Sequence, residues 1–276
     1  MPTAIYFLTP TTLERAPFHA QSFNDIVTHE SPNGVYTVSN TFNTTQVLKI
    51  NEHFDRLEDS ARRVNIPLVL DRARVRGALR HMIDAENWGD SRYRITVAPE
   101  NPTQLLLAIE PFKPLAPDIL QNGTRCITTP NSARHNPEAK TTDWALRRVA
   151  LQEAMPQGVY DTFLEDGEGF ILEGLASNFY AIVDGALHTA GSGVLKGISQ
   201  QIVLEIAPDI LPVKLEAVHT RQISQLSEAF LTSSSRGIVP IVEINGIRIG
   251  DGKVGQMTQR LRQAYGVWMQ AHLEEL

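Results

Sequence analysis

The chain has 276 residues, 42% of them hydrophobic, with a net charge of −6 and an isoelectric point near 5.8. That is ample material for one large buried core or two modest ones, and the acidic balance, without any block of like charge, leaves no footprint for nucleic acid or an anionic membrane. Cys126 is the only cysteine, which excludes an intrachain disulfide and a thiolate-built metal centre and points to a cytoplasmic protein; no metal is expected.

No apolar run is long enough to span a bilayer. The short AIYFL at the start is broken by Pro10, followed by Glu14, and lacks the basic lead of a signal peptide.

Residues 1–50 read as short β segments. The alternation in GVYTVSNTF and the β-rich QVLKI are separated by the turn-forming Asn43-Thr44-Thr45. The period then changes. In INEHFDRLEDSARRV, Asn51 is expected to cap a helix that buries Phe54, Leu57, Ala61 and Val64, with His53, Arg56 and Ser60 beside that face. A second helix is expected from an Asp71 cap through Val75, Leu79, Met82 and Ile83, followed by RYRITVAP and TQLLLAIEPF as strands.

These elements make a small α+β domain over residues 1–112. PFKPLAPDILQNG, rich in proline and ending in a turn-forming Asn122-Gly123, predicts a linker over 113–121. From 122 to 276, RCITTP, VYDTFLED, GFILEG, NFYAIVDG, ALHTA, VKLEAV, EAFLTS, GIVPIVEI and NGIRI read as strands. Helices are expected in DWALRRVALQEAM, with Trp144, Leu151 and Ala154 on one side, from about Ile198 to Ala207, and from Lys253, where Leu261, Tyr265 and Trp268 share a spacing. The fold class is mixed α/β, more strictly α+β, the second half being closer to a barrel with peripheral helices than to a doubly wound sheet.

The chemistry concentrates between Lys140 and Ser199. Lysines are scarce, only Lys49, Lys113, Lys140, Lys196, Lys214 and Lys253, and Lys140 stands just before a helix. A desolvated lysine near other cations has a lowered pKa and acts as nucleophile and proton shuttle, although a lysine heading a helix is more often a surface residue. Glu173 lies among Ile171, Leu172 and Leu175. A glutamate in such a strand either faces solvent at the strand end or meets a partner that holds a proton or a positive charge.

In KGISQQIVLEIA a helix begins at Gly197, Ile198 and Ser199, offering free N–H groups and the positive end of the dipole to a phosphate. Arg56 can add a fixed charge and Ser234 a hydroxyl, although an arginine on a helix is usually solvated and a serine run is usually a loop. Amine, acid and phosphate donors together are what pyridoxal 5'-phosphate requires. GSGVLKG is a poor dinucleotide loop, since its glycines are spaced GxGxxxG and no parallel βαβ pattern surrounds them.

GVYTV, INEHFDRLEDSA, the lysine before a helix, LEGLASNFYAI, VLKGISQQIV and EAFLTSSSRGIVPIVEINGIRIGDGKVGQMTQRL together resemble the class IV, fold-type IV, pyridoxal-phosphate aminotransferases, in order and spacing from about Gly34 to Leu261. The resemblance implies a two-domain fold with the cofactor between the domains, in a homodimer. By that likeness Lys140 forms the Schiff base and shuttles the proton, Glu173 contacts the ring nitrogen, and Arg56 binds phosphate. Ile198 and Ser199 match backbone phosphate donors, Ser234 a phosphate-binding threonine, and Leu195 a leucine packed on the ring.

Local likeness is greatest to the D-amino-acid transaminases. It departs from them where they carry an Arg-x-His pair for the substrate carboxylate, here Ala98, Pro99 and Glu100, and where they carry glutamate, here Thr37. Branched-chain aminotransferases place an arginine near Arg94, which makes Arg94 a candidate carboxylate clamp, though strand alternation equally allows it to point outward. Tyr36 lines the pocket in any of these relatives, and Ala176 and Ser235 complete the implied substrate-binding set. Asp143, where asparagine is common, is read as the cap of the helix after Lys140.

The implied function is transfer of an amino group from an amino acid of D or branched-chain type, or a primary amine, to a 2-keto acid. The alternative is a lyase of the aminodeoxychorismate lyase kind, whose members share threonine at the position of Thr37.

Overall fold

The structure, a computed structural model, describes residues 3–276; Met1 and Pro2, at the head of the first expected domain, lie outside the described residues. The chain divides into two compact units. One comprises the residues up to Lys113 with Ala139–Val149 and His272–Leu276, and the other comprises Pro114–Glu138 with Ala150–Ala271.

The first unit is built on a seven-stranded antiparallel sheet in the order Leu273–Glu275, Gln46–Leu48, Val35–Phe42, Ser91–Val97, Leu105–Pro111, Ala4–Leu8, Leu13–Arg15. Alternation along Ser91–Val97 sends Tyr93, Ile95 and Val97 into a core with Phe54, Leu57 and Ala61 of helix Ile50–Arg63 and Val75, Leu79 and Met82 of helix Arg72–Glu86. Burying each of the Ile, Val, Phe, Leu and Met side chains among these stabilises by about 1.5–3 kcal/mol. The opposite face takes Ile5, Leu106 and Ala108 under Phe23 and Ile26 of the short helix Phe23–Ile26.

Asp71 caps its helix as expected, accepting from the Arg74 N–H at 3.0 Å. Asn51 does not cap the preceding one. That helix starts at Ile50, with Lys49 at the cap position in a left-handed conformation (φ 50°) and no side-chain cap bond. The tight passage from strand to helix buries Ile50 completely, which accounts for the earlier start. The segment read as linker contains the helix Pro117–Asn122, with proline in its first turn and Gly123 (φ 73°) ending it.

The second unit is a closed six-stranded barrel in the order Asn178–Val183, Glu228–Ser233, Gly237–Ile244, Thr124–Thr129, Asp161–Glu165, Phe170–Gly174. The Asn178–Glu173 pairing returns the last strand to the first. Junctions on either side of Thr124–Thr129 are parallel and the rest antiparallel. Inward-facing Cys126, Phe163, Phe179, Leu231, Val239 and Ile241 fill the interior. Helices Ile198–Ile206 and Gln256–Ala271 are joined by a hydrogen bond from the Tyr265 hydroxyl to Ser199 Oγ at 3.0 Å and one from Trp268 Nε1 to Glu205 at 2.8 Å.

Candidate active site

In the first unit, Lys140 is fixed by its backbone. Its N–H donates to the buried Ser60 Oγ at 3.1 Å, its carbonyl accepts from the Tyr36 N–H at 3.0 Å, and the next residue, Thr141, bridges to Val35. Helix Thr142–Glu153 starts immediately afterwards, with Asp143 exposed in its first turn. The lysine side chain is half-buried, with Nζ 4.7 Å from the centre of the Tyr36 ring.

His53, Arg56 and Ser60 recur at helical spacing, so one face of helix Ile50–Arg63 meets both the Lys140 backbone and Thr37. Arg56 Nη2 donates to Thr37 Oγ1 at 3.3 Å, and Thr37 Oγ1 lies 2.9 Å from His53 Nδ1. Arg56 Nη2 also lies 3.4 Å from His53 Nδ1, and because a guanidinium only donates, that contact makes Nδ1 an acceptor; Thr37 then gives Nδ1 its hydrogen, and the imidazole proton sits on Nε2. Burial first, then Arg56 and Lys140, hold the His53 pKa well below its usual value, so the ring is neutral.

Arg56 has no carboxylate in ion-pairing range among the described residues, and its Nε is buried without a protein partner. Burial lowers its pKa to about 10. The expected clamp Arg94 is differently placed. It shares a sheet face with Thr96 and makes a two-point ion pair with Glu30, both side chains being shielded from solvent (1% and 0% exposed). Thr96 Oγ1 also donates to Glu30, and the Arg94 guanidinium lies 3.7 Å from the Tyr36 ring centre.

In the second unit, Glu173 is 4% exposed at the pairing that closes the barrel. Its carboxylate accepts from Arg134 Nη1 at 3.2 Å and from the Leu195 N–H at 3.0 Å, while Asn178 Nδ2 donates to the Leu195 carbonyl at 2.8 Å. These contacts fix the direction of the carboxylate. Gly197 leads into Ile198 with no side-chain cap, and a Cβ there would sit 2.2 Å from Asn178 Oδ1, so any other residue would push the Asn178 amide from its place. Ile198 and Ser199 are buried at that helix start. Ser234 and Ser235 are half-buried in the turn after strand Glu228–Ser233, and Ala176 is half-buried in the turn after Glu173.

The first unit thus gathers Lys140, Tyr36, Thr37 and Arg56, and the second gathers Glu173 and Leu195 directly, with Ile198 and Ser199 three and four residues further on. Sequence reasoning did not find Glu30, Arg134, Asn178, Asp161 or Arg236. Glu30 and Arg134 carry no local pattern, whereas Asp161, beside Val159, Tyr160, Phe163 and Leu164 in VYDTFLED, gave a weaker form of the buried-acid signal of Glu173, since Thr162 and Glu165 share its strand. Among the described residues no three His, Cys, Asp or Glu side chains cluster as metal ligands, and no helix is long and apolar enough to cross a membrane.

The family model for amino-transferase class IV matches residues 34–244. The chain is 26% identical over 254 residues to a branched-chain-amino-acid aminotransferase of Pseudomonas aeruginosa, covering 84% of this chain and 82% of that one. It is 27% identical over 248 residues to a D-alanine aminotransferase of Listeria monocytogenes, covering 84% and 85%. The crystal structure of the T.th. branched-chain amino acid aminotransferase with pyridoxamine 5'-phosphate superposes with a TM-score of 0.84 at 20% identity, over 99% of this chain and 98% of that one.

Proposed function

The chain belongs to the class IV aminotransferases, and from that membership we propose that it is a pyridoxal-phosphate transaminase moving an amino group between an amino acid or primary amine and a 2-keto acid, with Lys140 as its reactive amine. The observation that carries the reading is Arg56. A half-buried guanidinium whose Nε is shielded from solvent and unsatisfied and which has, among the described residues, no carboxylate partner is costly unless an anion meets it. In the second unit, the helix start at Ile198, without a side-chain cap, has N–H groups suited to an anion.

Bound, pyridoxal phosphate supplies an aldehyde for amine exchange and a ring that withdraws electrons from the reacting carbon. Arg56, the N–H groups of Ile198 and Ser199, and Ser234 would hold its phosphate. Glu173, oriented by Arg134 and the Leu195 N–H, holds the proton on its ring nitrogen. Leu195 would pack on the ring. Lys140 Nζ would take the proton from the donor carbon and return it to the carbon that receives nitrogen. Tyr36, Thr37, Ala176 and Ser235 line the substrate. Arg94 is left out of this set because Glu30 already occupies its fork.

The working assembly is a homodimer in the cytoplasm, which size measurement in solution checks. The decisive experiment is an absorbance scan of the purified protein with added pyridoxal phosphate, then a panel of D-alanine, L-leucine and a simple (R)-amine. A band near the visible edge that one donor class bleaches, and that Lys140→Ala abolishes, is the expected result. A band that no amine bleaches, with pyruvate released from aminodeoxychorismate, would replace the transaminase by a lyase. No band at all would remove the cofactor assignment.

A further inference from the structure

Two turns at one end of the barrel carry residues that the proposed function uses. Gly174–Ser177 follows Glu173 and holds Ala176, and the turn between strands Glu228–Ser233 and Gly237–Ile244 holds Ser234 and Ser235. What joins them is a buried acid and an arginine.

Asp161 is 3% exposed. Its Oδ1 accepts from the N–H of Thr162 at 2.9 Å and of Leu175 at 3.3 Å, and its Oδ2 accepts from the Ser177 hydroxyl at 2.9 Å. The first turn is therefore tied at both ends to one carboxylate. It approaches that carboxylate so closely that a Cβ on Gly174 would lie 2.1 Å from Ser177 Oγ and 3.1 Å from Asp161 Oδ2. Arg236 reaches across from the second turn. Its Nη2 donates to the Ala176 carbonyl at 3.3 Å and stands 3.5 Å from Asp161 Oδ2, while its Nε donates back to Ser233 Oγ at 2.8 Å. Its guanidinium also lies 5.5 Å from the Tyr160 ring centre, which limits its swing.

We propose that Asp161 and Arg236 are a positioning pair that locks the Ala176 turn to the Ser234–Ser235 turn, so that phosphate and substrate contacts are set at one spacing. The pair does not touch the reacting atoms; it acts through the two turns, and this inference rests on the transaminase reading for its functional half. A planar guanidinium suits the task because it holds a carbonyl, a carboxylate and a hydroxyl at once in fixed directions. An ammonium holds only some of these.

The test compares Arg236→Met, Arg236→Lys and Asp161→Asn with wild type. Amide hydrogen exchange is followed with and without pyridoxal phosphate, and KM and kcat are followed for the amine donor found by the panel. Arg236→Met is expected to speed exchange about tenfold in both 174–178 and 233–237, as loss of one charge-assisted bond between them implies. Helix Arg72–Glu86 serves as the unchanged control. KM should rise about tenfold and pyridoxal phosphate should leave faster, with kcat within about threefold. Arg236→Lys should recover part of each effect, and Asp161→Asn should loosen both turns even if Arg236→Met fails to fold. Faster exchange in the second turn alone, or in both turns with KM and cofactor release unchanged, overturns the proposal. The exchange readout needs no cofactor, so failure of the transaminase reading would show separately, as a wild-type protein without a visible band.

Discussion

Arg94 and Glu30 meet through two parallel contacts, Nε to Oε1 at 2.6 Å and Nη2 to Oε2, with both side chains out of solvent. A pair held this way is costly to break from one side. Glu30→Ala strands a buried cation and is expected to cost about 3–5 kcal/mol, read from denaturant midpoints, whereas Glu30→Gln with Arg94→Met should recover most of that loss. Because Glu30 occupies the arginine fork, the double variant should keep KM for an amino-acid donor within about threefold. A large rise in KM would return Arg94 to the role of carboxylate clamp.

Arg56→Met removes a half-buried cation of the first unit that, among the described residues, faces no carboxylate. A charge-assisted bond to phosphate is worth about 1.5–3 kcal/mol. Titration with pyridoxal phosphate should therefore show affinity weakened about ten- to a hundredfold. The apoprotein should be no less stable than wild type, since the variant relieves an unsatisfied buried group. Weaker folding without weaker cofactor binding would make Arg56 structural only.

His53 gives a pH dependence with a definite sign. Its folded pKa lies well below that of the unfolded ring, about 6.5. Below about pH 6.5 the unfolded chain takes up a proton that the folded chain refuses, so stability is fully present above that pH and declines as pH falls beneath it. His188, lowered mainly by burial, acts in the same direction. The comparison is therefore wild type against His53→Asn, and the variant should flatten the acid side of a plot of melting temperature against pH. Equal slopes would mean that His53 is charged in the fold.

Much of this was legible in the sequence for physical reasons that differ by residue. Alternation and helical spacing found the strands and helices that bury one face, and Asp71 was readable because a cap is a local bond. Glu173 was readable because an acid in an apolar strand requires a partner. The identity of that partner was not, because Arg134 reaches Glu173 across 39 positions of chain. Glu30 escaped for the same reason, its bond to Arg94 spanning 64 positions. The strand Leu273–Glu275 was missed because three residues are too few to show a period, and only pairing with Gln46–Leu48 makes them a strand.

Glu173 and Arg134 allow stability and chemistry to be separated. Glu173→Gln keeps the shape and an acceptor for the Leu195 N–H but removes the charge facing Arg134, which should cost about 3–5 kcal/mol of folding stability. Pyridoxal phosphate should still bind, because Arg56 and the helix start at Ile198 are untouched. Turnover should fall about a hundredfold or more, since an amide does not hold the proton on the ring nitrogen. Adding Arg134→Met removes the charge left behind, so stability should return toward wild type while turnover stays low. If the second substitution restored turnover together with stability, the defect of the single variant would lie in the fold, and Glu173 would lose its role at the ring nitrogen.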